Sequence, residues 1–152
     1  MRALIQRAKW GKVVVDGETV GEIGPGIVTL LAVGLNDTAA DAEKIIEKIS
    51  KLRIFEDGEG KMNLSMTDVA GAGRKAEHLL ISQFTLYGDL KKGNRPSFLG
   101  AAKPEVAREI FEAAVRHSRA LGLHTQAGRF QTEMEVSLLN QGPVTFWLES
   151  EE

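Results

Sequence analysis

Two segments far apart in the chain, Ser82-Gln83-Phe84-Thr85-Leu86-Tyr87 and Asn140-Gln141-Gly142-Pro143-Val144-Thr145, carry hydroxyls, carboxamides and a Gly-Pro step inside runs that otherwise read as β-sheet. A sheet interior has little use for such groups, so their placement points to a ligand rather than to packing. Neither segment contains His, Asp or Glu. A hydroxyl nucleophile needs a base within hydrogen-bond reach, and no motif ties His78, His117 or His124 to Ser82 or Thr85. The three histidines therefore read as packing or surface residues. No Gly-x-Ser-x-Gly elbow and no Gly-x-x-x-x-Gly-Lys loop is present, which argues against a triad hydrolase and a P-loop nucleotidase. The chain has no cysteine, so disulfides, thiolate metal sites and a cysteine nucleophile are excluded together. No His-x-x-x-His spacing exists either, and no metal or cofactor is implied. Glu133 and Glu135 flank Met134 at the spacing of a solvent-facing strand surface, and Glu151 and Glu152 read as a solvated tail. What remains at the two segments is hydroxyls, a carboxamide, backbone groups and a proline.

The Gly142-Pro143 step needs its own account. Proline lacks an amide donor and must lie at a break, an edge or a turn of a sheet. A turn is the simplest reading of the residues alone. The alternative is that the step presents backbone carbonyls to a ligand, which a cis bond would serve by aiming two successive carbonyls in nearly the same direction.

The elements that must position these segments can be read from punctuation and periodicity. Leu4 to Val15 and Thr19 to Ile23 are rich in β-formers on either side of Asp16-Gly17, a two-residue hairpin signal. After Gly24-Pro25-Gly26, the continuous apolar run Ile27 to Val33 suits a strand buried on both faces at the centre of a sheet. Thr38 can cap a helix running to about Arg53, with Ala42, Ile45, Ile46, Ile49 and Leu52 on one stripe. A short strand over Ile54 to Glu56 meets a turn at Asp57-Gly58-Glu59-Gly60; Lys61 to Met66 is extended or irregular, and Gly71-Ala72-Gly73 is a mobile connection. His78 to Tyr87 reads as a strand. Pro104 opens a second helix with a stripe of Ala107, Ile110, Phe111, Ala114 and Val115, closed by Gly122. Met134 to Leu148 reads as a hairpin broken at Gln141-Gly142-Pro143.

The 152 residues, 43% hydrophobic and 26% charged, suit a single domain over 1–152 with one core. No run is long and apolar enough to span a bilayer, and the N-terminal residues lack the apolar core of a signal peptide, so a cytoplasmic protein is expected. A net charge of −2 argues against coating long stretches of nucleic acid. It leaves room for gripping an RNA end through local cations such as Lys91, Lys92 and Arg95, although charge pattern alone favours a solvated basic loop there.

Several blocks, in order along nearly the whole chain, resemble the D-aminoacyl-tRNA deacylase family. They are Met1 to Arg7, Gly21 to Gly26, Leu52 to Asp57, Lys61 to Ser65, Ser82 to Gly88, Lys92 to Phe98 and Asn140 to Thr145. The resemblance implies a mixed α/β fold with a largely antiparallel, barrel-like sheet and two main helices. It implies a homodimeric hydrolase that cleaves the ester between a D-amino acid, or glycine, and the terminal adenosine of tRNA. Gly142 and Pro143 would form a cis step reaching into the partner's site to hold the substrate amine, steadied by Arg7. Ser82, Gln83, Phe84 and Thr85 would be the catalytic wall, with Phe130 and Met134 contacting substrate and Lys91, Lys92 and Arg95 contacting tRNA. Under this reading the N–H groups around Phe84 and Thr85 stabilise an oxyanion, with Thr85 as nucleophile the competing version. Gln131-Thr132 stands where the family usually has Gly-Ala, Gln141 replaces a common acidic residue, and Trp10-Gly11 stands where smaller residues are common; these departures bear on substrate preference and rate more than on reaction type. Arg7 favours the cis form over that of a related group with a trans step. Two other readings stay open: a non-catalytic RNA-end binding module, and an esterase acting on a different acyl ester without regard to chirality.

Overall fold

The computed structural model describes residues 1–150; Glu151 and Glu152, expected as a tail, lie outside the described residues. The chain opens with β1 (Arg2–Val15) and β2 (Glu18–Ile23), joined at Asp16 and Gly17, both at positive φ. That is the backbone a tight hairpin turn demands. β3 (Gly26–Ala32) follows, buried along nearly its whole length as expected, and pairs antiparallel with the first half of β1. β6 (Glu77–Ser82) and β7 (Thr125–Ala127) extend the sheet in parallel, giving the order β2-β1-β3-β6-β7. The other edge of β1 is taken by β8 (Glu135–Glu149), an antiparallel partner along almost all of it. The fold is thus mixed α/β with a largely antiparallel sheet, two of whose pairings are parallel. It curls until β2 lies against β7: a Cβ on Gly21 would stand 2.8 Å from the Ala127 carbonyl oxygen, and the sheet is nearly a closed barrel.

α1 (Ala39–Ser50) begins at a reciprocal capping box between Thr38 and Asp41, which satisfies first-turn donors. It ends at Ser50 rather than Arg53, because Lys51 already closes the final turn as its C-cap. The turn after β4 (Phe55–Glu56) returns the chain as β5 (Met62–Leu64). Next comes an unanticipated helix, α2 (Met66–Gly71), again started by a capping box, here Ser65 with Asp68. Gly71 ends that helix rather than opening a loop. α3 (Pro104–Ala120) matches its expected stripe, and Gly122 at φ 82° ends the exit turn. The buried faces of α1 and α3 pack with Ala3, Ile5, Ile27, Leu31 and Leu80 in one core. A second cluster, Ala8, Val13, Val15, Ile23, Val28, Leu79 and Ile81, fills the curled half of the sheet.

Two expectations fail where the polar segments lie. The last part of the chain is one strand, not a hairpin: β8 stays paired to β1 on both sides of the Gly-Pro step. Gln6 pairs with Thr145 and Ala8 with Asn140, so residues 141–144 loop out opposite Arg7 as a large bulge. A bulge is one of the few places a strand tolerates proline, since its ladder bond is already missing. The run His78 to Tyr87 likewise is not one strand. β6 ends at Ser82, opposite Leu31, where its parallel partner β3 runs out. Gln83 donates its N–H to the Leu31 carbonyl, and Phe84–Tyr87 then forms a single 3-10 turn.

Candidate active site

The end of β6 and the start of the 3-10 turn form one wall of a cavity of about 240 Å³. Ser82, Gln83 and Phe84 line it, facing Phe130, Gln131, Thr132 and Met134 from the segment between β7 and β8, with Phe111 of α3 below. The cavity carries no His, Asp, Glu, Lys or Arg in its lining. Ser82 and Gln83 are half-buried, while Phe84 is exposed and meets Phe98 edge to face at 5.1 Å. The side-chain amide of Gln83 donates to the Thr85 hydroxyl oxygen. In a 3-10 turn the leading N–H groups, here those of Phe84 and Thr85, have no carbonyl within the turn to bond.

Five of the expected site residues, Ser82, Gln83, Phe84, Phe130 and Met134, are therefore brought together. Thr85 lies one residue beyond this wall. Gln131 and Thr132 also line the cavity; Gln131 sits at φ 57°, and its carboxamide oxygen accepts from Arg108 of α3 at 3.1 Å. The sequence departure noted there thus falls on the pocket itself.

Gly142, Pro143 and Arg7 are not in this cavity. Gly142 and Pro143 are exposed at the crest of the β8 bulge, and the peptide bond between them is cis. The bulge is pinned at its base, where Val144 is buried in the core. The Asn140 side-chain amide donates to the Val144 carbonyl at 3.0 Å and to the Arg7 carbonyl at 3.1 Å, closing the neck of the loop. Arg7 itself is buried, and its Nη1 donates to the Ile54 carbonyl at 2.6 Å, while its Nε has no partner among the described residues. Its side chain makes no hydrogen bond to Gly142 or Pro143 within the chain, so its contribution to the bulge here is its main-chain carbonyl.

Arg2 was not singled out by the residue pattern, yet it braces the wall. Its Nη1 donates to the Leu86 carbonyl at 3.0 Å, its guanidinium lies 4.5 Å from the Tyr87 ring centre and 5.9 Å from that of Trp147, and its Nε pairs with Glu149 at 2.9 Å. The 3-10 turn is thereby tied to the start of β1 and the end of β8. Burial, followed by the Asp37 carboxylate, pushes the Tyr87 hydroxyl up to about 12, so it stays neutral. Lys91, Lys92 and Arg95 are exposed on the loop between Asp89 and Ser97, which pair with each other.

The histidines take no part in the cavity. His78 is fully buried between Thr29 and Ser118, with 2.9 Å contacts on each ring nitrogen. Burial depresses it to about 3, so it is neutral. His117 is half-buried near Glu47, and His124 is exposed. Among the described residues no group of three or more His, Asp or Glu side chains could hold a metal ion, and no helix is long and apolar enough to cross a membrane.

Comparison with known proteins places this geometry in context. Residues 4–149 match the sequence profile of the D-Tyr-tRNA(Tyr) deacylase family. The chain is 53% identical to the D-aminoacyl-tRNA deacylase of Desulfitobacterium hafniense, covering 99% of this chain and 98% of that one. It is 51% identical to the enzyme of the same name from Symbiobacterium thermophilum, over 99% and 97% of the two chains. Among solved structures, the c-Myc DNA Unwinding Element Binding Protein superposes with a TM-score of 0.90 at 37% identity over 100% of both chains. A probable eukaryotic D-amino acid tRNA deacylase shares the fold, with a TM-score of 0.83 at 16% identity over 97% of each chain.

Proposed function

The chain belongs to the D-Tyr-tRNA(Tyr) deacylase family, and on that premise we propose that it hydrolyses the ester of D-aminoacyl-tRNA by orientation and backbone donors rather than by a side-chain base. The observation that carries this reading is the uncharged wall of Ser82, Gln83 and Phe84 in a cavity without any titratable lining residue. An aminoacyl ester is already an activated bond. Holding it beside amide donors aimed at the developing oxyanion supplies much of what a strong base would supply elsewhere.

In the step itself, the oxygen of water adds to the ester carbonyl carbon and the charge on the carbonyl oxygen is met by the N–H groups of Phe84 and Thr85. The tetrahedral species collapses with cleavage of the bond to the ribose oxygen, which takes up the proton that water gave up, and the free D-amino acid leaves. The ribose 2'-hydroxyl orients the water. Thr85 is ill placed as a nucleophile: its hydroxyl oxygen accepts from the Gln83 amide, and no base is among the cavity's lining residues.

Chirality is read by backbone. The Gly142-Pro143 step stands outside its own chain's cavity at the crest of an exposed bulge, a position suited to entering the cavity of a second copy in a homodimer. There its carbonyls would hold the α-amino group, so that an L-side chain strikes the Gly-Pro wall and a D-side chain points outward. Glycine, with no Cβ, passes. Met134 and Phe130 contact the bound end, Arg7 steadies the step, and Lys91, Lys92 and Arg95 meet the RNA. Such a proofreading enzyme would work in the cytoplasm, where tRNA is charged. The deciding experiment follows deacylation of D-Tyr-, L-Tyr- and Gly-tRNA by the purified protein. Loss of the D- and glycyl esters with the L-ester intact is expected; equal loss of all three would sink chiral selection, and loss of none would leave only RNA-end binding.

A further inference from the structure

Beside the cavity, and sharing Phe111 and Phe130 with it, runs a second groove lined by Arg108, Arg116, Arg119 and Arg129 against the single acid Glu112. We propose that this groove is the track for the phosphate backbone of the RNA whose 3' end enters the cavity, an inference that rests on the deacylase reading.

Four guanidinium groups and one carboxylate make the groove cationic in a chain whose net charge is −2. Arg108, Arg116 and Arg119 recur along one side of α3 at spacings of eight and three residues, a stretch of about 16 Å at 1.5 Å per residue. That length meets more than one phosphate of a strand. Guanidinium is the side chain best shaped for bidentate phosphate contact.

The four arginines also divide by what already holds them. Arg119 donates from Nε and Nη2 to the Thr125 carbonyl, both at 3.3 Å, bracing α3 to β7. Arg108 lies at the seam of the two cavities, 5.2 Å over the Phe130 ring and bonded to Gln131. It can pass the strand from groove to cavity, its guanidinium on the last phosphate and Phe130 beneath the terminal base. Arg129 has one long contact, 3.8 Å to the mostly exposed Glu18. Arg116 is exposed and makes no hydrogen bond or ion pair among the described residues. Cations held this loosely do little for the fold, which leaves them free for a polyanion.

The test uses Arg116→Gln/Arg129→Gln in the full chain, with Lys91→Gln/Lys92→Gln as comparator. Affinity for uncharged tRNA is measured by fluorescence anisotropy across a salt series, and deacylation is measured on D-Tyr-tRNA and on a D-tyrosyl ester of adenosine alone. The groove variant should bind tRNA about ten-fold more weakly and lose about 1.5 from the slope of log affinity against log salt, one lost phosphate contact per arginine. KM for D-Tyr-tRNA should rise accordingly, with kcat and the rate on the adenosine ester within about two-fold of the parent, which also shows an intact fold. An unchanged affinity and slope, with or without an effect of the Lys91/Lys92 variant, overturns the groove while leaving the deacylase reading in place. A parent protein that cleaves no D-ester but loses tRNA binding in the groove variant overturns the deacylase reading and keeps the groove.

Discussion

At the scale of single residues, the candidate site depends on side chains that shape backbone more than on side chains that react. Asn140 is the clearest case. One carboxamide satisfies the Arg7 and Val144 carbonyls at the neck of the bulge, and no other side-chain donor to either carbonyl is recorded among the described residues. Asn140→Leu keeps the volume and removes both bonds, at a cost of about 1–3 kcal/mol for partly buried acceptors left unpaired. Urea unfolding should show a lower midpoint with an unchanged slope, and D-Tyr-tRNA deacylation should drop at least about ten-fold if the bulge positions substrate. Asn140→Asp should do comparable harm, because a carboxylate cannot donate to a carbonyl. A stability loss without a rate loss would separate the bulge from turnover. The type of Asn140 was legible in the sequence, but its role was not. Its two acceptors belong to residues 133 positions back and four positions ahead, and only the strand pairing brings them together.

At the scale of elements, local signals succeeded wherever local backbone chemistry decides. Asp16-Gly17 gave the hairpin, Thr38 and Pro104 gave helix starts, and the unbroken apolar run gave β3. The Ser65-Met66-Thr67-Asp68 box carries a local signal for α2 as well. The two misread strands lie where a partner strand decides. β6 stops at Ser82 because β3 ends, although Phe84, Thr85 and Tyr87 favour strands. β8 runs on through a proline because β1 continues beyond it on both sides. Tertiary placement also decides the meaning of His78, which joins β3, β6, α3 and β7 through Thr29, Ser118 and Thr125, the last two 2.7 Å apart. Its folded form resists protonation down to about 3, against an ordinary 6.5. The unfolded chain takes up that proton first, so stability is complete above pH 6.5 and falls as pH drops toward 3. Asp41, Asp57 and Asp68 are held low by hydrogen bonds, chiefly from Thr38, Lys61 and Ser65. Their stabilisation is present above the usual carboxylate value of 3.8 and fades below it, leaving the upper window to His78. Chemical denaturation between pH 6 and pH 4.5 should show stability falling by up to about 1.4 kcal/mol per pH unit from this one group. In His78→Gln that part of the slope should vanish; a slope that persists unchanged would assign it elsewhere.

At the scale of the whole molecule, β8 is an edge strand of 15 residues with exposed Val136, Leu139, Phe146 and Trp147, and Trp10 of β1 opposite Leu139. A long apolar edge is a liability unless something covers it. A second copy of the chain would meet that need, and in the proposed homodimer it would also carry each Gly142-Pro143 step away from its own cavity toward another. This arrangement predicts complementation between two inactive variants. One lacks the Gly142-Pro143 step and keeps the cavity; the other carries Phe84→Pro, which removes an oxyanion N–H at the first position of the 3-10 turn, and keeps the step. Each alone should deacylate D-Tyr-tRNA at least about a hundred-fold more slowly than the parent. Refolded together in equal amounts, half the dimers are mixed, and each mixed dimer rebuilds one of its two sites. The mixture should therefore regain about a quarter of the parent's activity, as closed two-fold symmetry requires. If each step served the cavity of its own chain, no pairing could restore a site and the mixture would stay as slow as its components. Sedimentation of the parent must show a dimer in the same buffer, and Phe146→Glu, which sets a charge in the exposed apolar strip, should shift it toward monomer and lower activity in parallel. A fully active monomer would overturn the exchange of steps between copies, because one chain would then hold everything the reaction needs.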